Sequence, residues 1–194
     1  MSRKDALDRV GVGTYGTEGD VLDWTYYDEE VIAVATLTTR LFTTPLGSGG
    51  KTLDQTNLTQ AGQIPQGQLF DVRAIKIMYT SGAVKATAGV QELYTLLTRT
   101  TLSIKLGNKE TMGQWTIQEL LGANTLIALT PTAAGDNITI IQPKYHGVFP
   151  LNQKIVLAAL TPFEVTVVHH VAPGATTATD RMKVCLSGIL TRVT

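Results

Sequence analysis

The sequence predicts a mainly β protein, an antiparallel β-sandwich or jelly roll with two short helical insertions. Three observations carry this expectation. β-branched and alternating runs recur along most of the 194 residues, separated by clusters of Gly, Pro, Asn and Thr. Helical periodicity surfaces only twice, both times mid-chain. No alternation of strand and helix repeats, and no fixed internal period is visible, which argues against a parallel α/β sheet or a solenoid.

Composition bounds the functions. Sixteen Lys and Arg balance sixteen Asp and Glu, and charged residues are only 16% of the chain, against a usual ~25%. A neutral chain lacks the global basicity that binds nucleic acid through counterion release. Hydrophobic residues reach 43%, too many for a disordered chain. No apolar run reaches the ~18 residues of a membrane span. Met1-Ser2-Arg3-Lys4-Asp5 carries no apolar stretch, so no secretory leader is expected. The lone Cys185 excludes an internal disulfide framework and a Cys-based zinc site. About 30 threonines suit both strands and polar interfaces. Low charge on a sizeable chain suggests a surface largely consumed by partners.

In chain order, residues 1–20 read as a flexible arm. Charges crowd Arg3 to Arg9, and Gly11, Gly13, Gly16 and Gly19 follow, each adding backbone entropy that regular structure must fix. Residues 21–194 read as one domain. Val21–Tyr27 is a strand, and Val31–Thr44 a second, long and free of Gly or Pro. Pro45–Gly67 is a long Gly-, Pro-, Asn- and Gln-rich loop, of a length usually tied to function. Leu69–Thr80 is a strand whose apolar phase flips near Ala74-Ile75, which calls for a bulge or burial on both faces.

Val90, Leu93, Tyr94 and Leu97 fall at helical spacing. Thr101–Leu106 returns to alternation. Thr116-Ile117-Gln118-Glu119 fits a capping box for a second short helix ended by Gly122. Leu126–Leu129 and Ile138–Gln142 flank a turn at Pro131–Asn137. Lys154–Leu160 is a strand closed by Pro162, and Phe163, Val165 and Val167 mark the next. Val171–Asp180 is a loop, and Met182, Val184, Leu186 and Leu190 line the last strand. The total is eight or nine strands.

Several motifs invite a chemical reading and fail its context. Gly11-Val12-Gly13-Thr14-Tyr15-Gly16 spells a dinucleotide fingerprint, but charged residues precede it and no helix follows. Pro45-Leu46-Gly47-Ser48-Gly49-Gly50-Lys51-Thr52 approaches a phosphate-binding loop, yet Pro45 replaces the first Gly and no helix follows Thr52. His169 and His170 are strand neighbours that point oppositely; a metal site would need His146 and an acid such as Glu164 to converge. They read as partly buried or interface histidines. Cys185 reads as a small buried hydrophobe rather than the partner of His169 in a nucleophilic pair. Asp28-Glu29-Glu30 reads as a solvated turn, with a cation site as the rival. Trp24 and Trp115 read as core or interface anchors. Arg3, Lys4 and Arg9 are the one N-terminal basic cluster for nucleic acid, offset by Asp5 and Asp8. No catalytic, cofactor or metal residues are assigned, and no enzyme or small-molecule substrate is expected.

A resemblance adds to this. Asp54-Gln55-Thr56-Asn57-Leu58-Thr59-Gln60-Ala61-Gly62-Gln63-Ile64-Pro65, then Phe70-Asp71-Val72-Arg73-Ala74-Ile75, resembles a loop and strand of the jelly-roll major capsid proteins of tailless icosahedral bacteriophages. Phe149-Pro150-Leu151, the run Phe163–His170, and Val184-Cys185-Leu186-Ser187-Gly188-Ile189-Leu190-Thr191-Arg192-Val193 are similar to the closing part of such chains. The resemblance implies a single jelly roll and a major capsid subunit in the virion, made in the host cytoplasm and self-assembling into an icosahedral shell. Its partners would be copies of itself, with other virion proteins or an internal membrane beside them. Under that reading Gly11–Gly19 and the Pro45–Gly67 loop are expected to reach neighbouring subunits. Two other classes compete. One is a carbohydrate- or receptor-binding β-sandwich of a phage fibre or spike, weakened by an aromatic content of 6%. The other is a cupin-like metalloenzyme, which three histidines hardly supply.

Overall fold

The computed structural model describes residues 19–80, 87–107, 111–120, 126–132, 135–141, 148–174 and 180–193. Ten strands run through these residues. They are β1 (Gly19–Val31), β2 (Thr38–Leu41), β3 (Gln68–Thr80), β4 (Thr100–Leu106) and β5 (Thr111–Thr116), then β6 (Leu126–Thr132), β7 (Gly135–Ile141), β8 (Val148–Ala158), β9 (Phe163–His169) and β10 (Arg181–Val193). Helices α1 (Thr87–Thr98) and α2 (Ile117–Leu120) lie mid-chain. The protein is all-β in the main, with two four-stranded antiparallel sheets and a separate hairpin.

The first sheet has the order β1-β10-β3-β8, the second β2-β9-β4-β5, and β6 pairs with β7 alone. With that hairpin set aside, the pairing is nested. β1 pairs with β10, β2 with β9, β3 with β8 and β4 with β5, all antiparallel. Two cross-pairings, β10 with β3 and β9 with β4, close each sheet.

Alternation builds the core between the sheets. Phe70, Val72, Ile75, Val184, Leu186 and Leu190 come from the first sheet, and Leu102, Ile104, Val165 and Val167 from the second, all fully buried. Each such side chain contributes roughly 1.5–3 kcal/mol. Phe42, just after β2, and Phe163, at the start of neighbouring β9, pack with ring centroids 5.5 Å apart.

The phase flip in the third strand is a bulge. Pairing of β3 shifts between Val72 and Ala74 on the β8 side, and opposite Ser187/Gly188 on the β10 side. Phe70 and Val72 face the core before it, Ile75 and Ile77 after it, and Arg73 is left exposed. Gly188 permits the close approach, because a Cβ there would overlap the carbonyl oxygen of Asp71.

Both helices form where expected; of the α1 stripe Leu97 is buried and Tyr94 half-buried, while the side chains of Val90 and Leu93 lie outside the described residues. Leu96 and Leu97 of α1 are buried. Thr116 Oγ1 accepts the Glu119 amide at 3.0 Å, capping α2, whose Ile117 and Leu120 are buried. Gly122 lies outside the described residues.

Five expectations need correction. Val31–Thr44 is not one strand: β1 ends at Val31 and β2 holds only Thr38–Leu41. The chain there crosses from the first sheet to the second. Ile32 N bonds Asp180 O at 2.9 Å, Ala35 N bonds Pro173 O at 2.8 Å, and Ala35 turns at φ 57°. That corner overrides β propensity. Asp28-Glu29-Glu30 is no solvated turn but part of β1, with Asp28 fully buried. The strand expected from Lys154 begins at Val148. β5 was not anticipated, because Thr-Met-Gly-Gln-Trp-Thr has no buried face to alternate: it is an edge strand paired only with β4. The turn between β6 and β7 is also tighter than expected, since Pro131 already pairs with Asp136.

Candidate functional site

A groove lies on the outer face of the first sheet, and the Pro45–Gly67 loop builds its wall. The loop is fastened to β1 by three sets of bonds. Asp28 is fully buried, and its carboxylate accepts the Phe42 amide at 2.6 Å and Lys51 Nζ at 2.6 Å. Lys51 also reaches Glu30 at 2.6 Å. In the low-dielectric setting of Asp28, one partner is required to offset the desolvation of the other.

Asn57 supplies the second set. Its side chain donates to Thr25 O at 2.8 Å and accepts the Tyr27 amide at 3.0 Å. It thus imitates a neighbouring strand along the free edge of β1, satisfying backbone groups that an edge leaves open. Thr56 Oγ1 adds a bond to Tyr27 O at 3.2 Å. The third set is outside the edge, where the Tyr27 hydroxyl donates to Leu53 O and Lys183 donates to Asp54 O. Lys183 also stands 5.3 Å from the Tyr27 ring centre.

The far end of the loop is welded into the sandwich. Gly62 N bonds Phe42 O at 2.6 Å and Phe163 N bonds Gly62 O at 2.7 Å, with Gly62 at φ 55°. A side chain there would press on the Phe163 carbonyl at 2.8 Å. Leu58 and Ile64 are fully buried in the core.

Between this wall and the sheet lies an open groove of about 860 Å³. Its floor is Thr25, Ser187, Ile189 and Ala74 from β1, β10 and β3; Trp24, Tyr27, Leu46 and Leu53 give it apolar character. Thr25 and Ser187 hydroxyls bond each other at 3.0 Å. Leu46 and Leu53 are 41% and 61% exposed, large apolar side chains held outward on a tethered loop. Asp23 and Arg73 bring one charge of each sign to the lining.

The residues singled out from sequence take these places. Lys51, in the phosphate-loop-like run, is consumed by Asp28 and Glu30. Glu29 is consumed by Arg181 and Lys183, both at 3.3 Å. His169 is buried in β9, Nδ1 3.0 Å from Thr100 Oγ1 and Nε2 3.4 Å from Thr39 Oγ1. Burial, aided by the neighbouring His170, pulls its pKa down to about 4, so it is neutral at pH 7. His170 is exposed, with Nε2 3.3 Å from Thr101 Oγ1. Glu164 pairs with Arg40 at 3.4 Å and accepts from Thr166.

Cys185 lies in the first sheet and His169 in the second, so the nucleophilic pairing does not form. Burial raises the Cys185 pKa. Trp115 packs against the core, while Trp24 stays 36% exposed with Arg192 5.9 Å from its ring. Among the described residues no group of three or more His, Cys, Asp or Glu could hold a metal. No helix among them is long and apolar enough to cross a membrane. Arg3, Lys4, Arg9, Gly11, Gly13, Gly16 and His146 lie outside the described residues.

Sequence reasoning missed Asn57 and the Lys51 tether. The signal for the second was present: Lys51 is the only basic residue between Pro45 and Gly67, and Asp28-Glu29-Glu30 the densest acidic run. Asn57 carries no such mark, because its role is geometric.

Fold and groove together define a class, an all-β two-sheet protein with a loop-walled apolar groove on one outer face. No protein-family model matches the chain, and no curated protein sequence matches it.

Proposed function

We propose that the chain is a single jelly roll and serves as a structural virion protein, a major capsid subunit that assembles with copies of itself into an icosahedral shell. The observation that carries the reading is the nested strand pairing. Wrapping one long antiparallel ribbon around a barrel pairs strand 1 with 8, 2 with 7, 3 with 6 and 4 with 5. With the β6–β7 hairpin treated as an insertion, β1·β10, β2·β9, β3·β8 and β4·β5 follow that order.

The segments that resemble phage capsid proteins meet in space, which supports the step from fold to role. Asp54–Pro65 runs past the edge of β1, with Thr56 bridging to Asp28. Phe70–Ile75 and Val184–Val193 pair with each other through the Gly188 bulge. The exposed apolar residues Leu22, Trp24, Leu46, Leu53 and Val156 suit a surface that neighbours cover. A shell subunit requires several such contacts of hundreds of Å² and no reacting centre.

Multi-angle light scattering of the purified full chain across a concentration series tests the proposal. Growth into one large, size-limited species is expected. A strict monomer up to millimolar concentration would overturn it.

A further inference from the structure

We propose that the groove on the outer face of the first sheet is one half of a two-fold contact with a second copy of this chain. The inference rests on the self-assembly reading above and names the surface that assembly uses. Its basis is charge self-complementarity around an apolar centre.

Asp23 of β1 and Arg73 of β3 stand on opposite sides of β10. Asp23 is in register with Ile189, and Arg73 is the bulged residue beside Ala74, which is in register with Ser187. Two strand spacings separate β1 from β3, about 10 Å. Both side chains are exposed and line the groove, and neither makes an ion pair or side-chain hydrogen bond among the described residues. Of the other charges near the loop wall, Lys51 is paired with Asp28 and Glu30 and Lys183 with Glu29, while Asp54, bonded to Thr52, lies outside the groove lining. The groove lining therefore presents one acid and one base, one on each side of the β10 strand that forms its floor.

A two-fold axis lying along β10 in the contact plane, near Ser187, sets each copy's Asp23 against the other copy's Arg73. Both pairs then form at once, as an isologous contact requires. Ile189 would lie at the centre, with Leu46 and Leu53 of the wall flanking it as apolar anchors. A partner of uniform charge does not fit. Nucleic acid or an anionic membrane would leave Asp23 unpaired beneath it, and an unpaired desolvated charge costs several kcal/mol. A second copy presents the complement of both charges by symmetry.

The experiment compares the full chain with Asp23→Arg, Arg73→Asp and the double exchange Asp23→Arg/Arg73→Asp, by sedimentation velocity over a concentration series. Both sites are exposed, so thermal melting of the variants should match the parent and certify their folding. Each single reversal should weaken self-association about tenfold or more, and the double exchange should restore most of it. A second readout places Ser187→Cys in a Cys185→Ser background; mild oxidation should yield a disulfide-linked dimer across the axis. If the parent associates while all three charge variants associate equally and Ser187→Cys gives no cross-linked dimer, this surface is wrong and the self-assembly reading stands. If the parent itself stays monomeric, the self-assembly reading fails and this inference fails with it.

Discussion

The two faces of the first sheet are built by different physics. Its inner face is closed by the second sheet through apolar contacts: Phe70, Val72, Ile75, Val184 and Leu186 meet Leu102, Ile104, Val165 and Val167. Its outer face is closed only in part, by a loop held at the edge of β1 through the Asn57 clasp on Thr25 and Tyr27 and anchored on the buried side by Asp28–Lys51–Glu30. The inner closure is non-directional and tolerates no water. The outer closure is directional and leaves a groove beside it. The second kind fixes a loop firmly while leaving its Leu46 and Leu53 exposed, which is what the proposed contact with a neighbouring copy would use.

The contrast can be broken most severely at the seam of the two faces. Gly188→Val puts side-chain atoms into the Asp71 carbonyl and should cost about 4 kcal/mol or more, or prevent folding. Urea denaturation measures it, and a variant of parental stability would show that the bulge relaxes freely. Next is the buried anchor of the loop. Asp28→Ala strands Lys51 beside Glu30 and frees the Phe42 amide, and should cost about 3–5 kcal/mol. Protease cleavage within the Pro45–Gly67 loop should accelerate together with it. If stability falls but cleavage does not, Asp28 supports the sandwich and not the loop.

The second sheet supplies a pH test. His169 has its folded pKa lowered from 6.5 to about 4. The unfolded chain therefore binds the extra proton first as pH falls. Stability is full above about pH 6.5 and is lost progressively down to about pH 4, by about 3 kcal/mol in all. Unfolding free energies at pH 7, 5.5 and 4 should follow that slope, and His169→Gln should flatten it. A slope unchanged in the variant would assign the acid sensitivity elsewhere.

Asn57→Ala removes only the edge mimicry and should cost about 1–2 kcal/mol. It should also raise hydrogen exchange at Tyr27. Smallest is Arg40→Ala, which breaks an exposed pair with Glu164 and should change stability by less than about 1 kcal/mol. A larger loss there would mean that surface ion pairs matter more in this chain than its low charge suggests.

The same contrast explains what sequence could disclose. Inner-face strands were legible because burial on one side imposes period two, as in Phe163, Val165 and Val167, or in Leu102 and Ile104. The bulge was legible because the phase itself changed across Val72 and Ile75. β5 was not, since an edge strand with exposed Thr111, Met112 and Gln114 has no period to impose. The break at Ala33–Leu37 was hidden for another reason: Ala35 and its neighbours turn because the chain must change sheets, a demand set by Asp180 and Pro173 far along the sequence. The groove was least legible. Thr25, Arg73 and Ser187 are separated by tens of residues, and only strand pairing brings them together. Lys51, in a phosphate-loop-like run, has its charge consumed by Asp28 and Glu30, a pairing that only the packing of the loop on β1 reveals.

The central claim is that this chain builds closed shells. Electron microscopy of the purified full chain at high concentration tests it most directly. Uniform, closed particles of icosahedral symmetry are the predicted result, and a field of dispersed monomers under every assembly condition would contradict it.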